Sequence, residues 1–333
     1  MSVEKLVAQL AVRRACVLAQ AVAGQVDAIT KSDDSPVTVA DFGAQAIIID
    51  AIRKAFPNDK VVGEEEADKL AKDSALREKV YKLVDVASKQ TEFASEKIGR
   101  IGSAEEMVDA IGHGNYSGGS QGRFWALDPI DGTKGFLRGG QYAVCLALIE
   151  NAKVVMGVIG CPNLNGGELY SAVRGEGATV MPITHAGTKD ANEQSIHFRN
   201  ITVSDLSDAT FCESVEAGHS SHGTNARIAQ ELGITKPSVR MDSQAKYCSI
   251  SKGNGDIYLR LPVSATYQEK IWDHAAGNVI VSEAGGVVSD MYGKELDFGV
   301  GRTLANNKGV IAAAKGIHST VLEAVKKAVE AEQ

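Results

Sequence analysis

The most informative segment of this chain reads Phe124-Trp125-Ala126-Leu127-Asp128-Pro129-Ile130-Asp131-Gly132-Thr133. A strand that ends on an acid, turns through proline and presents a second acid three residues later puts two carboxylates and a carbonyl around one point. Hard divalent cations prefer such a cluster of oxygens. Gly132 lets the backbone approach a ligand closely, and Thr133 adds a hydroxyl beside the ions. The segment therefore predicts a strand ending at Asp128 and a metal site suited to a phosphate ester and its attacking water.

The same residues have a simpler interpretation as an ordinary turn. Proline, aspartate and glycine are the commonest turn residues, so the segment alone does not separate a turn from a metal site. A metal site needs further acids, and two other parts of the chain contain candidates. Residues 64–66 are three glutamates that follow the apolar pair Val61-Val62, and Asp273 lies between Trp272 and an apolar helix. A solvated acidic loop is the commoner explanation of a glutamate run, and helix N-capping also explains Asp273.

Composition and charge indicate a globular protein. Of the 333 residues, 44% are apolar and 23% are charged, which predicts either two lobes or one large layered domain. The net charge of −7 and the aromatic content of 5% argue against a general nucleic-acid binder, but they are compatible with a local basic pocket for a phosphorylated metabolite. The five cysteines are dispersed, and the seven histidines lack the spacing of zinc sites. We therefore expect buried thiols, a reducing compartment and no structural zinc.

The pattern along the chain indicates no targeting or membrane segment. Residues 2–10 carry an acid and continue as an amphipathic helix rather than as a signal peptide. No run of about eighteen apolar residues, the length that a membrane-spanning helix needs, occurs in the sequence. We expect a monomeric, cytoplasmic protein that binds neither membranes nor nucleic acid.

The first half of the chain is predicted to begin with helices and to continue as antiparallel strands. Apolar spacing predicts helices over 4–23 and 39–56, the second closed by Pro57, with a polar loop at 31–36 between them. A short strand at 61–62 precedes the glutamate run. The later segments are a mostly helical, charged region over 67–112, a flexible connector over 112–122, and strands over 142–149, 154–159, 169–173 and 178–181. The regular turns between these last strands predict an antiparallel meander.

The polar segment 184–199 lacks periodicity and is interpreted as a boundary between lobes. We expect an N-terminal α+β lobe over residues 1–198 and a C-terminal α/β lobe over residues 199–333. In the second lobe helices and strands alternate, which is typical of an α/β arrangement. The expected strands lie near 201–204, 210–215, 238–241, 256–261, 286–289 and 309–313, and the expected helices near 222–232, 244–251, 271–284 and 316–331.

Three segments together resemble the signatures of the lithium-sensitive, magnesium-dependent phosphatase superfamily that includes inositol monophosphatase. They are Gly63-Glu64-Glu65, Asp128-Pro-Ile-Asp131-Gly-Thr133 and Trp272-Asp273-His274-Ala275, and they span most of the chain. Where the family often has serine after the two glutamates, this chain has Glu66. The resemblance implies a layered αβαβα sandwich. Its N-terminal lobe would carry most metal ligands, and its C-terminal lobe would carry Asp273 and the nucleotide-binding residues.

The resemblance also implies roles for individual residues. The implied ligands of two or three magnesium ions are Glu64, Asp128, the carbonyl of Ile130, Asp131 and Asp273, a hard-oxygen set that agrees with the residue types alone. Lithium would inhibit by occupying a magnesium position. Asp41 and Thr133 would orient and deprotonate the attacking water, and the amides of Gly132 and Thr133 would cradle the phosphate. Without the resemblance, Asp41 is explained as an acid that a helix start favours.

A narrower resemblance is to the nucleotidase branch of that superfamily, whose members convert 3′-phosphoadenosine 5′-phosphate to AMP. It rests on Gly135-Phe-Leu-Arg-Gly139, Gly218-His-Ser-Ser-His222, Asp242-Ser-Gln-Ala-Lys-Tyr247, Tyr258-Leu-Arg-Leu-Pro262 and Tyr267-Gln-Glu-Lys-Ile271. The implied substrate-binding residues are Gly132, Thr133, His219, Ser243, Lys246, Arg260 and Asp273. An arginine and a lysine suit a dianionic phosphate. Taken alone, Lys246 and Arg260 are explained as surface charges, and His219 as a capping or core imidazole.

Arg260 can be placed more closely from its neighbours. It alternates with Leu259 and Leu261, so its side chain is expected on the opposite face of the strand from the two leucines. That alternation makes Arg260 a candidate for a pocket-facing position.

Two other functions stay open at this stage. One is a phosphatase of the same superfamily that acts on inositol mono- or polyphosphates with the same metals. The other is a non-catalytic, cation-binding regulatory protein, but the chain lacks an EF-hand pattern, and Thr133 and Asp41 would then have no task. A further candidate substrate of the nucleotidase function is 3′-phosphoadenosine 5′-phosphosulfate, which would connect the protein with sulfur assimilation.

Overall fold

The computed structural model describes residues 2–24, 28–30, 36–216, 222–262, 264 and 266–331. The α-helices in these ranges are α1 (Val3–Val22), α2 (Val39–Ala55), α3 (Asp68–Lys72), α4 (Ser74–Gln90), α5 (Ser95–Ile98), α6 (Ala104–Gly112), α7 (Thr133–Leu137), α8 (His222–Glu231), α9 (Ala245–Ser251), α10 (Ala275–Glu283) and α11 (His318–Glu330). The strands are β1 (Ile29–Thr30), β2 (Pro36–Val37), β3 (Lys60–Gly63), β4 (Arg123–Asp131), β5 (Ala143–Glu150), β6 (Lys153–Cys161), β7 (Glu168–Val173), β8 (Gly177–Pro182), β9 (Gln194–Ile196), β10 (Phe211–Glu213), β11 (Val239–Arg240), β12 (Ile257–Arg260), β13 (Gly286–Ser289) and β14 (Val310–Ala314).

Two large sheets organise the described part of the chain. The first has seven strands in sequence order from β3 to β9; β3 and β4 are parallel, and every later neighbouring pair is antiparallel. The predicted meander is therefore confirmed. The second sheet has five strands in the order β11-β10-β12-β14-β13, with β10 parallel to both of its neighbours and β14 antiparallel to both of its own. All strands of the first sheet precede residue 198, and all strands of the second follow it.

Three hydrophobic clusters join these sheets to helices in five layers. Helices α1 and α2 pack on one face of the first sheet, and α9 and α10 lie between its other face and the second sheet. Helices α8 and α11 cover the outer face of the second sheet. Burying both faces of a sheet requires helices on both sides, so the clusters follow from strands that are apolar at consecutive positions. The predicted αβαβα sandwich is confirmed.

Strand alternation sets which residues enter each layer. In β4, Trp125 and Leu127 belong to the cluster with α1 and α2, whereas Phe124 and Ala126 face the middle layer. In β12, Tyr258 faces the middle layer and Leu259 faces α11. Because Arg260 is two residues beyond Tyr258, it shares the face of Tyr258, as the alternation predicts.

Helix α2 illustrates why the sequence folds as it does near the acids. Thr38 caps the helix, because its hydroxyl accepts from the amide of Ala40, and Asp41 in turn accepts from the Thr38 amide, which makes a capping box. The helix ends at Ala55, one residue before the predicted Phe56, with Pro57 following. The first turn of this helix therefore holds Asp41 in a fixed place.

Two sequence predictions about elements are wrong. A strand was expected near 201–204, but Val203–Asp208 is a 3-10 helix, because Thr202 and Asp205 form a capping box that bends the chain. The strand before the acids was expected to end at Asp128, but β4 continues to Asp131 through an irregularity.

The predicted helix over 4–23 is confirmed as α1, and the polar loop at 31–36 lies outside the described residues except for Pro36 in β2. Among the described residues, no helix combines the length and the apolar content needed to cross a membrane.

Candidate active site

A bulge in β4 brings the two acids of the opening segment onto one face of the first sheet. Asp128 pairs with Cys145 and Asp131 with Ala143, so the two residues between the acids oppose the single residue Val144. Acids three residues apart in a regular strand would point to opposite faces, but the extra residue reverses the second one. Pro129 has no amide to donate to the ladder, which suits it to such a bulge. Both acids therefore point towards the middle layer.

The acids predicted as metal ligands act on each other electrostatically. Burial raises the pKa of Asp128 well above its usual value, and the charges of Glu64, Asp131, Asp273 and Asp41 raise it further. Burial also raises the pKa of Asp273 to about 8, although the charge of Arg260 opposes the change. Five carboxylates from four distant parts of the chain therefore share one neighbourhood.

Asp128 is the more buried of the two acids of the bulge. The residue is 2% exposed, and its Oδ1 atom accepts no hydrogen bond from any residue that the structure describes. A buried carboxylate oxygen without a donor, beside other negative charges, is unfavourable unless a cation compensates it. The donor set of hard oxygens fits a magnesium ion.

Glu64 is held in a loop that is clamped on both sides. Gln45 of α2 donates through Nε2 to the carbonyl of Glu65 (2.6 Å) and accepts through Oε1 from the Glu65 amide (2.9 Å). Glu64 is partly buried, Glu65 is 5% exposed and only Glu66, among these three, is fully on the surface. The alternative of a wholly solvated acidic loop is therefore wrong for the first two glutamates.

Asp273 lies beside a buried network that the sequence did not predict. Glu269, Asp273 and His274 each have one atom that could bind a metal ion, and these three atoms lie within 4.8 Å of one another. Of the three residues, only Asp273 is among the predicted metal ligands. Glu269 Oε2 accepts from Arg260 Nε (2.8 Å) and contacts His274 Nε2 (3.1 Å). Burial would raise the pKa of Glu269, but Arg260 and His274 lower it to about 2. Glu269 is thus compensated by an arginine rather than left for a cation.

The alternative assignment of Asp273 as a helix N-cap is also wrong. The N-cap of α10 is His274, whose side chain makes no capping hydrogen bond. His274 Nδ1 instead contacts the hydroxyl of Tyr247 (2.8 Å). The carboxylate of Asp273 faces Arg260, whose Nη2 lies 3.8 Å from its Oδ2.

The basic residues predicted for substrate binding are not surface charges. Arg260 has a side chain that is 15% exposed, and Lys246 is 3% exposed. Lys246 Nζ donates to the carbonyls of Met241 (3.1 Å) and Ser243 (2.8 Å) and lies 5.3 Å from the centre of the Tyr258 ring. Burial lowers the pKa of Lys246 to about 8, while the charge of Asp131 opposes the change.

Gly132, in the acidic segment, lies against Ser243, one of the predicted substrate residues. Gly132 has φ 85° and ψ 43°, in the left-handed region that glycine tolerates. A Cβ atom at this position would lie 3.1 Å from Cβ of Ser243. Ser243 itself has a positive φ of 68°, and its hydroxyl accepts from the amide of Ala245 at the start of α9. Alanine would therefore be strained in conformation here, and its Cβ would be tightly packed against Ser243.

Asp41 and Thr133, the predicted catalytic pair, lie in the same neighbourhood with defined partners. Asp41 is 1% exposed, and its Oδ2 accepts from both the amide (2.7 Å) and the hydroxyl (2.6 Å) of Thr38. The hydroxyl of Thr133 donates to the carbonyl of Ile130 (3.1 Å), the carbonyl that was predicted to bind a metal. Asp41 does stabilise the start of α2, because it completes a capping box with Thr38.

His219 lies outside the described residues. Sequence reasoning missed Glu269, Gln244 and Arg302 as residues that contact the site. Gln244 and Glu269 are inside segments already singled out, but Arg302 is in a segment without any motif.

The chain is similar over most of its length to known proteins of one family. The model of the Inositol monophosphatase family matches residues 2–330. A curated protein named 3′(2′),5′-bisphosphate nucleotidase from Emericella nidulans is 54% identical over 347 residues, covering 97% of each chain. One of the same name from Schizosaccharomyces pombe is 52% identical over 339 residues, covering 96% of this chain and 94% of the other. A solved Thermotoga maritima IMPase superposes with a TM-score of 0.65 at 24% identity, covering 97% and 96% of the two chains.

Proposed function

Because this chain belongs to the inositol monophosphatase family and is a phosphatase, we propose that it removes the 3′-phosphate from 3′-phosphoadenosine 5′-phosphate. The products are AMP and inorganic phosphate. The proposal is carried by one arrangement: a largely buried group of acids lies beside two largely buried cations, Lys246 and Arg260. Burial raises the pKa of Asp131, and the charges of Lys246 and Arg260 partly oppose the rise. Acids of this kind suit metal ions, and the cations suit phosphate. The nucleotidase names of the relatives support the choice of a nucleotide.

We propose that the site holds two or three magnesium ions. Their ligands in this proposal are Glu64, Asp128, the carbonyl of Ile130, Asp131 and Asp273. Bound magnesium lowers the pKa of water and offsets the charge on the phosphate and on the leaving oxygen. The unpartnered Oδ1 atom of Asp128 and the raised pKa values of the acids support this assignment, because a cation would relieve both.

The chain's own residues orient the reacting groups in this proposal. Two hydrogen bonds from Thr38 fix the carboxylate of Asp41, which accepts a proton from the attacking water. Thr133 directs its hydroxyl beside the Ile130 carbonyl and helps to place that water. The water oxygen bonds to phosphorus, the bond to the 3′-oxygen breaks, and the leaving ribose oxygen takes a proton from solvent water. Asp41 then returns its proton to solvent, so no net proton is gained or lost by the protein. The amides of Gly132 and Thr133 cradle the transferred phosphate.

Substrate selection belongs to the second part of the chain in this proposal. Arg260, Lys246, Ser243 and His219 recognise the nucleotide and its non-reacting 5′-phosphate. Arg260 lies between Glu269 (2.8 Å) and Asp273 (3.8 Å), which fixes its guanidinium beside the reacting centre. A guanidinium held in this way loses little entropy when a phosphate binds.

Two finer points complete the proposal. We propose that the protein acts as a monomer and in the cytoplasm. The cytoplasmic location is supported by five buried free thiols, which suit a reducing compartment: Cys16, Cys145, Cys161, Cys212 and Cys248. We also propose 3′-phosphoadenosine 5′-phosphosulfate as a second substrate, since it carries the same 3′-phosphate.

The experiment compares turnover of 3′-phosphoadenosine 5′-phosphate, inositol monophosphate and inositol bisphosphate, each with MgCl₂ and with EDTA. We expect magnesium-dependent phosphate release with the nucleotide preferred, and suppression by millimolar lithium. Preference for an inositol phosphate would replace the nucleotidase function by the second candidate of the same family. Absence of phosphate release from all three would favour the non-catalytic alternative. An Arg260→Met variant should lose the nucleotide preference through an increased KM.

A further inference from the structure

Arg302 connects two of the segments that carry predicted metal ligands. Its Nη2 donates to the carbonyl of Gly63 (2.6 Å), the residue before Glu64. Its Nη1 donates to the carbonyl of Tyr116 (3.1 Å) and more weakly to that of Gly114 (3.4 Å). Its guanidinium also lies 4.8 Å from the centre of the ring of Trp272, the residue that directly precedes Asp273. One side chain therefore touches both segments.

The Gly63 contact completes a clamp around Glu64. The amide of Gly63 donates to the carbonyl of Gly114 (2.8 Å), and Gln45 holds both backbone groups of Glu65. Arg302 supplies the remaining hydrogen bond, to the Gly63 carbonyl. With the residues on both sides fixed, the backbone of Glu64 has little freedom, and the starting point of its side chain is set.

The Trp272 contact acts in the same way on Asp273. The backbone carbonyl of Arg302 accepts from the amide of Ile271 (3.1 Å), while its guanidinium stacks on the indole of Trp272. Gln244 Nε2 donates to the carbonyl of Trp272 (2.8 Å) from the other side. The two residues before Asp273 are thus fixed by Arg302 and Gln244 together.

We propose that Arg302 is a positioning residue that sets the separation of Glu64 and Asp273 and thereby the affinity of the site for magnesium. The proposal rests on the proposed function, because it assigns both acids to the metal site. Arg302 acts through the Gly63 carbonyl and the Trp272 ring, and it binds neither the metal nor the substrate. Partners that orient metal ligands from behind typically change metal affinity by about 10–100-fold when removed.

The test measures magnesium binding without substrate, as the rise of the thermal unfolding midpoint during titration with MgCl₂ alone. The variants are Arg302→Met, which keeps an unbranched stem over Trp272 but has no donors, and Arg302→Lys, which keeps the charge without the fork. The matched control is Arg174→Met. Arg174 likewise donates to a backbone carbonyl, that of Val154 (3.0 and 2.8 Å). It follows the last residue of β7, at the end of the first sheet opposite to the end where the acids lie.

We expect Arg302→Met to need at least about 10-fold more MgCl₂ for half of the midpoint shift, with Arg302→Lys in between. The MgCl₂ concentration for half-maximal phosphate release should rise by the same factor, and Arg174→Met should leave both values unchanged. If Arg302 only stabilised the fold, its replacement would lower the unfolding midpoint in EDTA but would not change the MgCl₂ concentration needed for half of the midpoint shift. That result would overturn the inference even if it were obtained with Arg302→Lys alone. If the unchanged protein shows no magnesium-dependent shift, the proposed function fails first, so the two failures are distinguishable.

Discussion

The backbone amide of Gln244 donates to Oδ2 of Asp131 over 2.6 Å, and this single bond joins the bulge of β4 to the start of α9. The side chain of Gln244 continues the connection. Its Nε2 donates to the Trp272 carbonyl (2.8 Å), and its Oε1 accepts from the amide of Gly277 (3.1 Å) in the first turn of α10. The side chain therefore caps a helix whose N-cap, His274, provides no capping hydrogen bond. One residue therefore binds Asp131 directly and also binds the backbone of Trp272, next to Asp273.

We expect Gln244→Leu to lower both the stability and the magnesium affinity. Gln244 is 2% exposed, so leucine leaves the Trp272 carbonyl and the Gly277 amide without partners in a buried place. Each of the two groups costs about 1–3 kcal/mol, which predicts a loss of about 2–6 kcal/mol in the free energy of unfolding. Urea unfolding measures the first effect, and MgCl₂ titration of the unfolding midpoint measures the second.

Gln9→Leu provides the control for that prediction. Gln9 is also a buried glutamine, and its Nε2 donates to Ser171 (3.0 Å) and Glu193 (2.7 Å) on the α1 side of the first sheet. It should lower stability without changing the magnesium titration. Equal titrations for both variants would show that Gln244 contributes only to the fold.

Gly132→Ala should reduce turnover far more than Gly139→Ala, because both glycines have a strained backbone conformation but only Gly132 is closely packed against a neighbour. Both have positive φ values, 85° and 70°, so alanine costs about 1–2 kcal/mol of stability at either position. A Cβ at Gly132 would lie 3.1 Å from Ser243, whereas nothing lies within 4 Å of one at Gly139. We expect similar urea midpoints but at least about 10-fold slower phosphate release for Gly132→Ala only. Equal turnover would mean that the Gly132–Ser243 contact does not set the site.

Most of the fold follows from short-range signals in the sequence. The meander from β5 to β8 was predictable because each apolar strand ends at a turn of glycine or asparagine, and residues such as Asn151 and Gly175 do adopt positive φ values there. The family signatures then indicated the five layers. The strand expected near 201–204 was wrong because Ile201 and Val203 are apolar, and the capping box of Thr202 and Asp205 overrides them.

The site was predictable in its acids but not in its supporting contacts. Asp128, Asp131 and Asp273 stand in recognisable motifs, and the structure brings their charges together. The bulge that turns Asp131 to the face of Asp128 depends on the register with β5, which no local pattern specifies. Arg302 reaches Gly63 across 239 positions of sequence, so its role depends on the packing of the whole chain. Long-range contacts of this kind have no periodicity to read.

Stability should depend on pH through Glu193. Burial would raise its pKa, but the hydrogen bonds from Lys5 (2.6 Å) and Gln9 (2.7 Å) have the larger effect and lower the pKa below its usual value of 4.5. An acid whose pKa is lower in the folded state stabilises the fold above its unfolded pKa, and the contribution disappears as the pH falls through the folded pKa. The unfolding free energy of the unchanged protein minus that of Glu193→Gln should be positive at pH 7 and shrink below about pH 4.5. A difference that stays constant down to pH 3 would contradict this.

Asp128→Asn should separate stability from function. Burial and the charges of Glu64, Asp131 and Asp273 raise the pKa of Asp128 well above its usual value, so in EDTA at pH 8 the folded state must either hold an unfavourable buried charge or take up a proton there. Asparagine removes both costs. We expect the thermal midpoint in EDTA to rise, by roughly 2–4 °C for each kcal/mol recovered. MgCl₂ should no longer raise it, and phosphate release should fall by more than about 100-fold, since a ligand matters more than its supporting partners. Asp190→Asn, at an exposed acid, should change neither value. A lower midpoint in EDTA for Asp128→Asn would mean that the carboxylate is satisfied within the protein and that no cation is needed to compensate it.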